Sequence, residues 1–509
     1  MAQVGIAKWL PNIGLVAASI VVAALIAEAA TRFADDLPVL TDWLPNTTHR
    51  DARSAELDSI PRAPGVSRDW FFRDPPPLPN RIKLPADWER IAEEIKQHPA
   101  WVMGSIFAPA DFFKAWNAAR YPEPCTNPIL RQAPGRLFVY APADGAPYPR
   151  FRFLPNATTP LGLVTNAFGW RGRPIEFAKA PNVVRIAFVG ASTTVNSHDY
   201  PFSYPELIGG WLDLWAASRG LGVTFEILNA GREGIDSTNI EAIVRNEVLP
   251  LQPELVVYYE GGSTFIAQQM VTDNPVPPSS TPDAEESRAG FPAFMRSMAS
   301  RSAILRRVHM LLEVMEGRGA EWPKPDYQLA WPPDLDEADP DFTRQDLPVR
   351  LPTIVRDLGR IRASVAQTGS ELAISSYKWL AHDGLIVDPV RNRALLEQLN
   401  ITLYPLTYRD IDRAASLHNR VLAKFAAVHG LPFLDVARLM PEDPDLYTDW
   451  VHFSYAGVRL HAWIVMQGLV PLIERKLSTG AWPRPMPSDQ RPPPGLLFAP
   501  KEIAVSCSG

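Results

Sequence analysis

From Val183 onward the chain alternates short apolar, β-branched runs with amphipathic stretches long enough to be helices, and this alternation constrains the fold more than any other feature. Val183–Val189 reads as a buried strand ended by Gly190. Tyr204–Ser218 has helical periodicity through Leu207, Trp211, Leu212 and Trp215. Val223–Leu228 predicts a second strand, Asn239–Leu249 a second helix, and Leu255–Tyr259 a third strand closed by Gly261-Gly262. Further on, Val355–Ala366 predicts a helix, Glu371–Ser376 a strand, Leu417–Val428 a helix and Pro432–Val436 a strand. A final helix over about Ala456–Ile473 buries Leu460, Trp463, Met466, Val470 and Ile473 along one face. Strands separated by helices cannot be joined by hairpins. They require crossover connections and therefore a parallel sheet.

The other end of the chain bears on compartment. Ile13–Ala27 carries no charge; Lys8 precedes it, and Glu28 and Arg32 follow. The apolar stretch from Trp9 to Ala30 is long enough, at ~1.5 Å per residue, to cross a hydrocarbon core of ~30 Å. It predicts a signal anchor over residues 1–33, with the amino terminus inside and the body in the periplasm or outside: a single-pass inner-membrane protein. Ala27-Glu28-Ala29 also fits a small-x-small cleavage site, so a cleaved signal peptide stays open.

Between anchor and sheet, residues 34–180 hold proline clusters (Pro75-Pro76-Pro77) and many aromatics. A helix is expected over Ala86–Gln97, with short strands at Leu137–Tyr140 and Arg150–Leu154, in a partly β region packed on the main domain. The chain has 52 prolines against 30 glycines, which predicts stiff irregular connections. An insertion over about 270–350 interrupts the alternation with Pro- and Asp-rich segments around an amphipathic helix at Ala303–Met315, and is expected to form a cap. The main domain spans 181–478, and a proline-rich tail, 479–509, is expected to lie extended. The net charge of −6 gives no basic excess for nucleic acid. Cys125 and Cys507 either bridge or remain two unpaired apolar residues.

Four strand ends carry side chains or backbone suited to chemistry. Ser192, in Gly190-Ala191-Ser192-Thr193-Thr194, follows the first strand, where open α/β sheets place ligands. Gly231 follows the second strand and Gly261-Gly262-Ser263 the third, where glycine lets a backbone N–H approach a ligand. Asp449 and His452 lie in Thr448-Asp449-Trp450-Val451-His452, just before the last helix. Three positions apart on a turn, the carboxylate can fix the imidazole tautomer while the other ring nitrogen takes a proton from a serine. Each element alone reads equally well as a cap, a turn or a surface pair. In a parallel sheet, however, all four would meet on one edge. The nine histidines include no helical His-x-x-x-His pair, so no metal is expected, and no cofactor is required.

This order of elements resembles the SGNH/GDSL hydrolases of the membrane-anchored bacterial type. The likeness covers about 183–475 without the insertion. Thr165–Gly172 is similar to a segment preceding the catalytic domain in such members. The resemblance implies a flavodoxin-like three-layer α/β/α sandwich with a parallel sheet, here with an N-terminal membrane helix and a cap-like insertion. It implies Ser192 as nucleophile, His452 as general base, Asp449 as its orienting carboxylate, and Ser192 and Gly231 as backbone oxyanion donors. The third donor in that family is an asparagine side chain; here Ser263 stands in its place.

The expected activity is serine esterase-type hydrolysis outside the cytoplasm on an acylated lipid or glycan. Two alternatives stand beside it: a polysaccharide O-acyltransferase, and a catalytically degenerate SGNH domain serving as a structural subunit of a membrane complex with an unknown partner.

Overall fold

The computed structural model describes residues 10–34, 57–76, 164–196, 200–272, 302–315, 321–389 and 392–486, with short segments at 78, 82–83, 136–139, 153, 155–158, 490–493, 496–497 and 501–504. The expected helix at Ala86–Gln97, both cysteines, and nearly all of the strand expected at Arg150–Leu154 lie outside these residues.

At the centre is a five-stranded sheet of β1 (Val183–Gly190), β2 (Thr224–Asn229), β3 (Leu255–Tyr259), β4 (Glu371–Ser375) and β5 (Phe433–Leu434). Its order is β2-β1-β3-β4-β5, and every pairing is parallel. This is the flavodoxin-like order, whose direction reverses between β1 and β3 and leaves a crevice there at the carboxyl ends. All eight residues of β1 and all five of β3 are buried, as strands covered on both faces must be.

Helices cover both faces. On one, α3 (Tyr204–Ser218) packs against β2 and against the last helix, α9 (Tyr455–Ser478). On the other, α4 (Ser237–Ile243), α6 (Leu351–Gln367) and α8 (Tyr408–Val428) pack together. A short α2 (Ser192–Val195) leaves β1, and α7 (Arg393–Thr402) precedes α8. Trp211 and Trp463 meet edge to face at 5.3 Å, with the Phe71 ring 5.7 Å from Trp463. Each such buried side chain contributes roughly 1.5–3 kcal/mol. Phe71 comes from the described stretch 57–76, which packs on the main domain. That seam is also polar: Ala63 donates its N–H to Gln467 at 2.8 Å, and the Arg459 guanidinium reaches the Phe71 carbonyl and Asp74.

Outside this body, α1 (Leu10–Ala34) is an apolar helix with exposed side chains, long enough to cross a membrane. Helix α9 meets the same length and composition test, but it is a core helix, 83% buried. The strand expected at Leu137–Tyr140 is present as Arg136–Val139. It pairs antiparallel with Lys501–Ala504, so part of the tail forms a strand where an extended surface segment was expected. Within the insertion, the helix expected at Ala303–Met315 forms as α5 with those bounds. The stretch after it runs along α7 and α8: Trp322 donates its N–H to Asn400, Tyr327 binds Asp410, and Glu337 pairs with Arg413. Among the described residues the insertion makes no hydrogen bond or ring contact to Ser192, Asp449 or His452. Residues 273–301 and 316–320 of the insertion, on which the expected cap also depends, lie outside the described residues.

Candidate active site

Ser192, Asp449 and His452 converge at the carboxyl edge of the sheet. Although 260 positions separate Ser192 from His452, Ser192 Oγ lies 2.7 Å from His452 Nε2. On the other side of the ring, His452 Nδ1 lies 2.5 Å from Asp449 Oδ2. The second oxygen of Asp449 accepts the N–H groups of Val451 at 2.8 Å and His452 at 2.6 Å. Both oxygens are thus occupied by Val451 and His452, which is why an Asp-x-x-His turn can hold its own imidazole. The turn is closed by paired Tyr447 and Phe453 and by the Thr448 N–H on the His452 carbonyl at 2.8 Å. Ser454 then caps α9 through the Gly457 N–H.

Electrostatics follow from this geometry. Burial would raise the Asp449 carboxyl, but the imidazole and the two N–H donors outweigh it and hold the group below the ordinary carboxylate value. Burial would likewise lower His452, yet the charge and hydrogen bond of Asp449, with Glu233 and Glu260 further away, raise it above the ordinary histidine value. The pair favours imidazolium beside carboxylate, the state a base reaches on taking a serine proton.

The three candidate oxyanion donors differ in how free they are. Among the described residues no acceptor faces the Ser192 N–H, in the first turn of α2. Gly231 abuts that turn: a Cβ there would come within 2.6 Å of the Val195 nitrogen. Its N–H has a long bond, 3.3 Å, to Asn229 Oδ1, and an oxyanion would have to draw it away. Asn229 also donates to the Thr194 carbonyl and Ser203 Oγ, each at 3.2 Å, so it ties the end of β2 to the start of α2 and α3. Ser263 is half-buried in the turn after β3, and its own N–H is bound to Glu260 at 2.7 Å.

Two further residues shape the site. Glu260, at the end of β3, is 1% exposed and accepts the N–H groups of Ala191 at 3.2 Å and Ser263. It joins the nucleophile turn to the Gly-Gly turn across the crevice between β1 and β3. Burial pushes its carboxyl up to about 7, against the pull of those N–H donors. An acid ending an otherwise apolar run is the sequence signal for it. Arg171, from the segment similar to the family's upstream motif, pairs by backbone with Asn229. It also binds the carbonyls of Asn196 and Tyr200 and the Glu206 carboxylate through its guanidinium. It holds the loop that leaves α2.

A serine after the first strand, a glycine after the second, a Gly-Gly turn after the third and Asp-x-x-His before the last helix thus meet on a 2-1-3-4-5 sheet. The chain has a flavodoxin-like α/β/α fold, a parallel five-stranded sheet with helices on both faces. No family model matches the sequence, and no curated protein matches it. Solved structures with a similar course include an acetylxylan esterase from Geobacillus stearothermophilus (12% identity, 57% of this chain and 97% of that one, TM-score 0.31). A GDSL-like lipase from Bacteroides thetaiotaomicron has 12% identity over 58% of this chain and 88% of its own, with a TM-score of 0.26. An alpha/beta hydrolase from the metagenome of Lake Arreo, Spain, has 14% identity over 56% and 95%, with a TM-score of 0.28. Likeness this distant carries no chemistry with it, which must come from the side chains.

Proposed function

We propose that the chain is an extracytoplasmic serine esterase-type acyl hydrolase, held at a membrane by α1. The observation that carries this reading is the unbroken run Ser192 Oγ, His452, Asp449, at 2.7 and 2.5 Å. His452 takes the Ser192 proton as Oγ attacks an ester carbonyl. The N–H groups of Ser192 and Gly231 receive the oxyanion, and His452 returns the proton to the leaving alcohol. Water, deprotonated by the same imidazole, then releases the acid from the acyl-enzyme. Ser263 replaces a longer amide donor, so the oxyanion hole is weaker on that side. Each such donor is worth roughly 3–4 kcal/mol where it has been measured.

The test is labelling of the purified chain with a fluorophosphonate, together with turnover of p-nitrophenyl esters, in wild type and Ser192→Ala. Stoichiometric labelling of wild type alone, with turnover lost in the variant, is expected. A fully folded wild type that neither labels nor turns over any ester would return the chain to the structural-subunit reading.

A further inference from the structure

Helix α5 has two faces. Ala303, Arg306 and His309 are buried, and Arg306 is paired with Asp388 on the main domain. On the opposite side Val308, Leu311, Leu312 and Met315 are 47, 57, 44 and 75% exposed. At 100° per residue these four fall within an arc of about 100°, a continuous apolar edge. Four large apolar side chains on one helical edge call for a cover.

The start of α5 is fixed to α1. Glu28 accepts Ser302 Oγ at 2.8 Å and the N–H groups of Ala303 and Ile304 at 2.7 and 3.2 Å, and it pairs with Arg32 on its own helix. One carboxylate from α1 thus supplies the N-terminal cap of α5. Glu28 is also the first charge after the apolar run, so on the anchor reading it marks the edge of the hydrocarbon core. The exposed edge of α5 therefore begins at the depth of the headgroups. On α1 itself Leu15, Ile20, Leu25 and Ile26, all N-terminal to Glu28, are exposed apolar side chains.

We infer that α5 is an interfacial membrane helix: its edge of Val308, Leu311, Leu312 and Met315 beds into the boundary between headgroups and acyl chains of the leaflet where α1 emerges. The lipid surface is the occupant because Glu28 locks the start of α5 to the end of the apolar run of α1, a helix of bilayer length. With α1 and α5 both seated, and Arg306–Asp388 tying α5 to the main domain, the domain is held against the bilayer in one orientation instead of swinging on a tether. Amphipathic helices of this kind bind in proportion to the apolar area they insert.

The inference rests on the anchor reading of α1, and the experiment separates the two. The full chain, with Cys125 and Cys507 replaced by serine, is reconstituted in phosphatidylcholine/phosphatidylglycerol nanodiscs. A single cysteine at Val21, Leu312, Met315 or the exposed Ser218 carries an environment-sensitive fluorophore, and the lipids carry a nitroxide at a shallow or a deep acyl position. Quenching of Leu312 and Met315 probes mainly by the shallow nitroxide is expected, with Val21 quenched by the deep one and Ser218 by neither. Val21 quenched with Leu312 and Met315 unquenched would overturn the docking while leaving the anchor in place. An unquenched Val21 would overturn both. Leu312 probes that are shielded yet unquenched would mean that protein covers the edge, and would equally overturn it.

Discussion

The Glu260 carboxylate accepts the backbone N–H of Ala191, the residue before the candidate nucleophile, at 3.2 Å, from a buried position at the end of the neighbouring strand. Its other oxygen takes the Ser263 N–H, so a single side chain spans the two turns that would surround an oxyanion. Glu260→Ala should leave two N–H groups without acceptors in a dry site, at a cost of about 1–3 kcal/mol each. Glu260→Gln keeps one acceptor. It should lower kcat by roughly tenfold with little change in KM, a barrier change of about 1.4 kcal/mol. Because the carboxyl lies at about 7, any part of the pH–rate profile that comes from Glu260 should disappear in the glutamine variant. A glutamine variant with wild-type kcat and pH profile would reduce Glu260 to a packing role.

On the proposed mechanism His452 would set the acid limb of activity. Its imidazole is raised above the ordinary histidine value in the folded chain, chiefly by Asp449 overcoming burial. Only neutral His452 can accept the serine proton. Rate is therefore lost as pH falls through the raised value, and the midpoint of kcat/KM should lie above 6.5. Glu233→Gln removes one of the charges that raise it and should shift the midpoint down. Asp449→Asn should lower kcat on the order of 10³–10⁴-fold, as in comparable triads. A midpoint at or below 6.5 in the wild type would show that the imidazole is not held by Asp449 as the geometry has it.

Buried His418 predicts an acid-sensitive fold independent of catalysis. Burial pushes its imidazole down to about 4 from the ordinary 6.5. Between these values the unfolded chain binds a proton that the folded chain excludes. Stability is then lost as pH falls from about 6.5 toward 4, by at most about 1.4 kcal/mol per pH unit for one such group. His418→Leu should flatten this dependence by close to one proton. Urea midpoints of the detergent-solubilised chain from pH 4.5 to 7.5 measure it, and an unchanged slope would place the acid sensitivity elsewhere.

Much of the central domain is legible in the sequence because its strands are buried on both faces. β1, β2, β3 and β4 fall within a residue of the reading, each being an apolar run stopped by glycine, asparagine or a polar turn. Elements with mixed faces are less legible. Helix α8 begins at Tyr408 instead of Leu417, since its first turns, Arg409-Asp410-Ile411-Asp412-Arg413, look polar. Its real start signal is the Thr407 hydroxyl accepting the Asp410 N–H at 3.1 Å. Helix α7 is not foreseen at all. The second helix starts at Ser237 under an Asp236 cap and widens into a π turn at Val244–Val248. The strand at Lys501–Ala504 exists only through a partner far away in the chain, which no local pattern reveals. In the site, the serine, histidine and aspartate are legible as motifs. Glu260 and Arg171 leave only weak traces, an acid closing an apolar run and a place in the Thr165–Gly172 segment, because their roles are made across the fold by hydrogen bonds to backbone.

The Gly-Gly turn is tight for a reason that can be tested by paired substitution. A Cβ on Gly262 would come 2.5 Å from the Tyr377 hydroxyl, and Tyr377 is stacked on Tyr259 at 4.7 Å between centroids, so the ring has little room to retreat. Gly262→Ala should cost about 1–3 kcal/mol. Tyr377→Phe removes the obstructing oxygen, and the double variant should recover most of that loss, giving a clear coupling in the cycle. Strict additivity would mean that the turn is short for some cause other than Tyr377.

On the proposed mechanism Ser263 would limit how strong the chemistry can be. Its N–H is fixed to Glu260, so the turn that carries it is already positioned. What differs from the family pattern is the reach of the side chain. Ser263→Asn lengthens that side chain and supplies an amide donor. Such a donor bonds the carbonyl oxygen mainly once it carries negative charge, so it should raise kcat and leave KM nearly unchanged. The gain has a ceiling of roughly 10²–10³-fold, the cost of deleting such a donor elsewhere. Turnover of p-nitrophenyl esters by wild type, Ser263→Asn, and Ser263→Asn with Ser192→Ala measures it. A gain that persists without the Ser192 hydroxyl would show that another group attacks. If instead none of the three turns over esters of several chain lengths, with or without an acceptor glycan, the serine at 263 is one sign among others of a site that no longer performs acyl transfer.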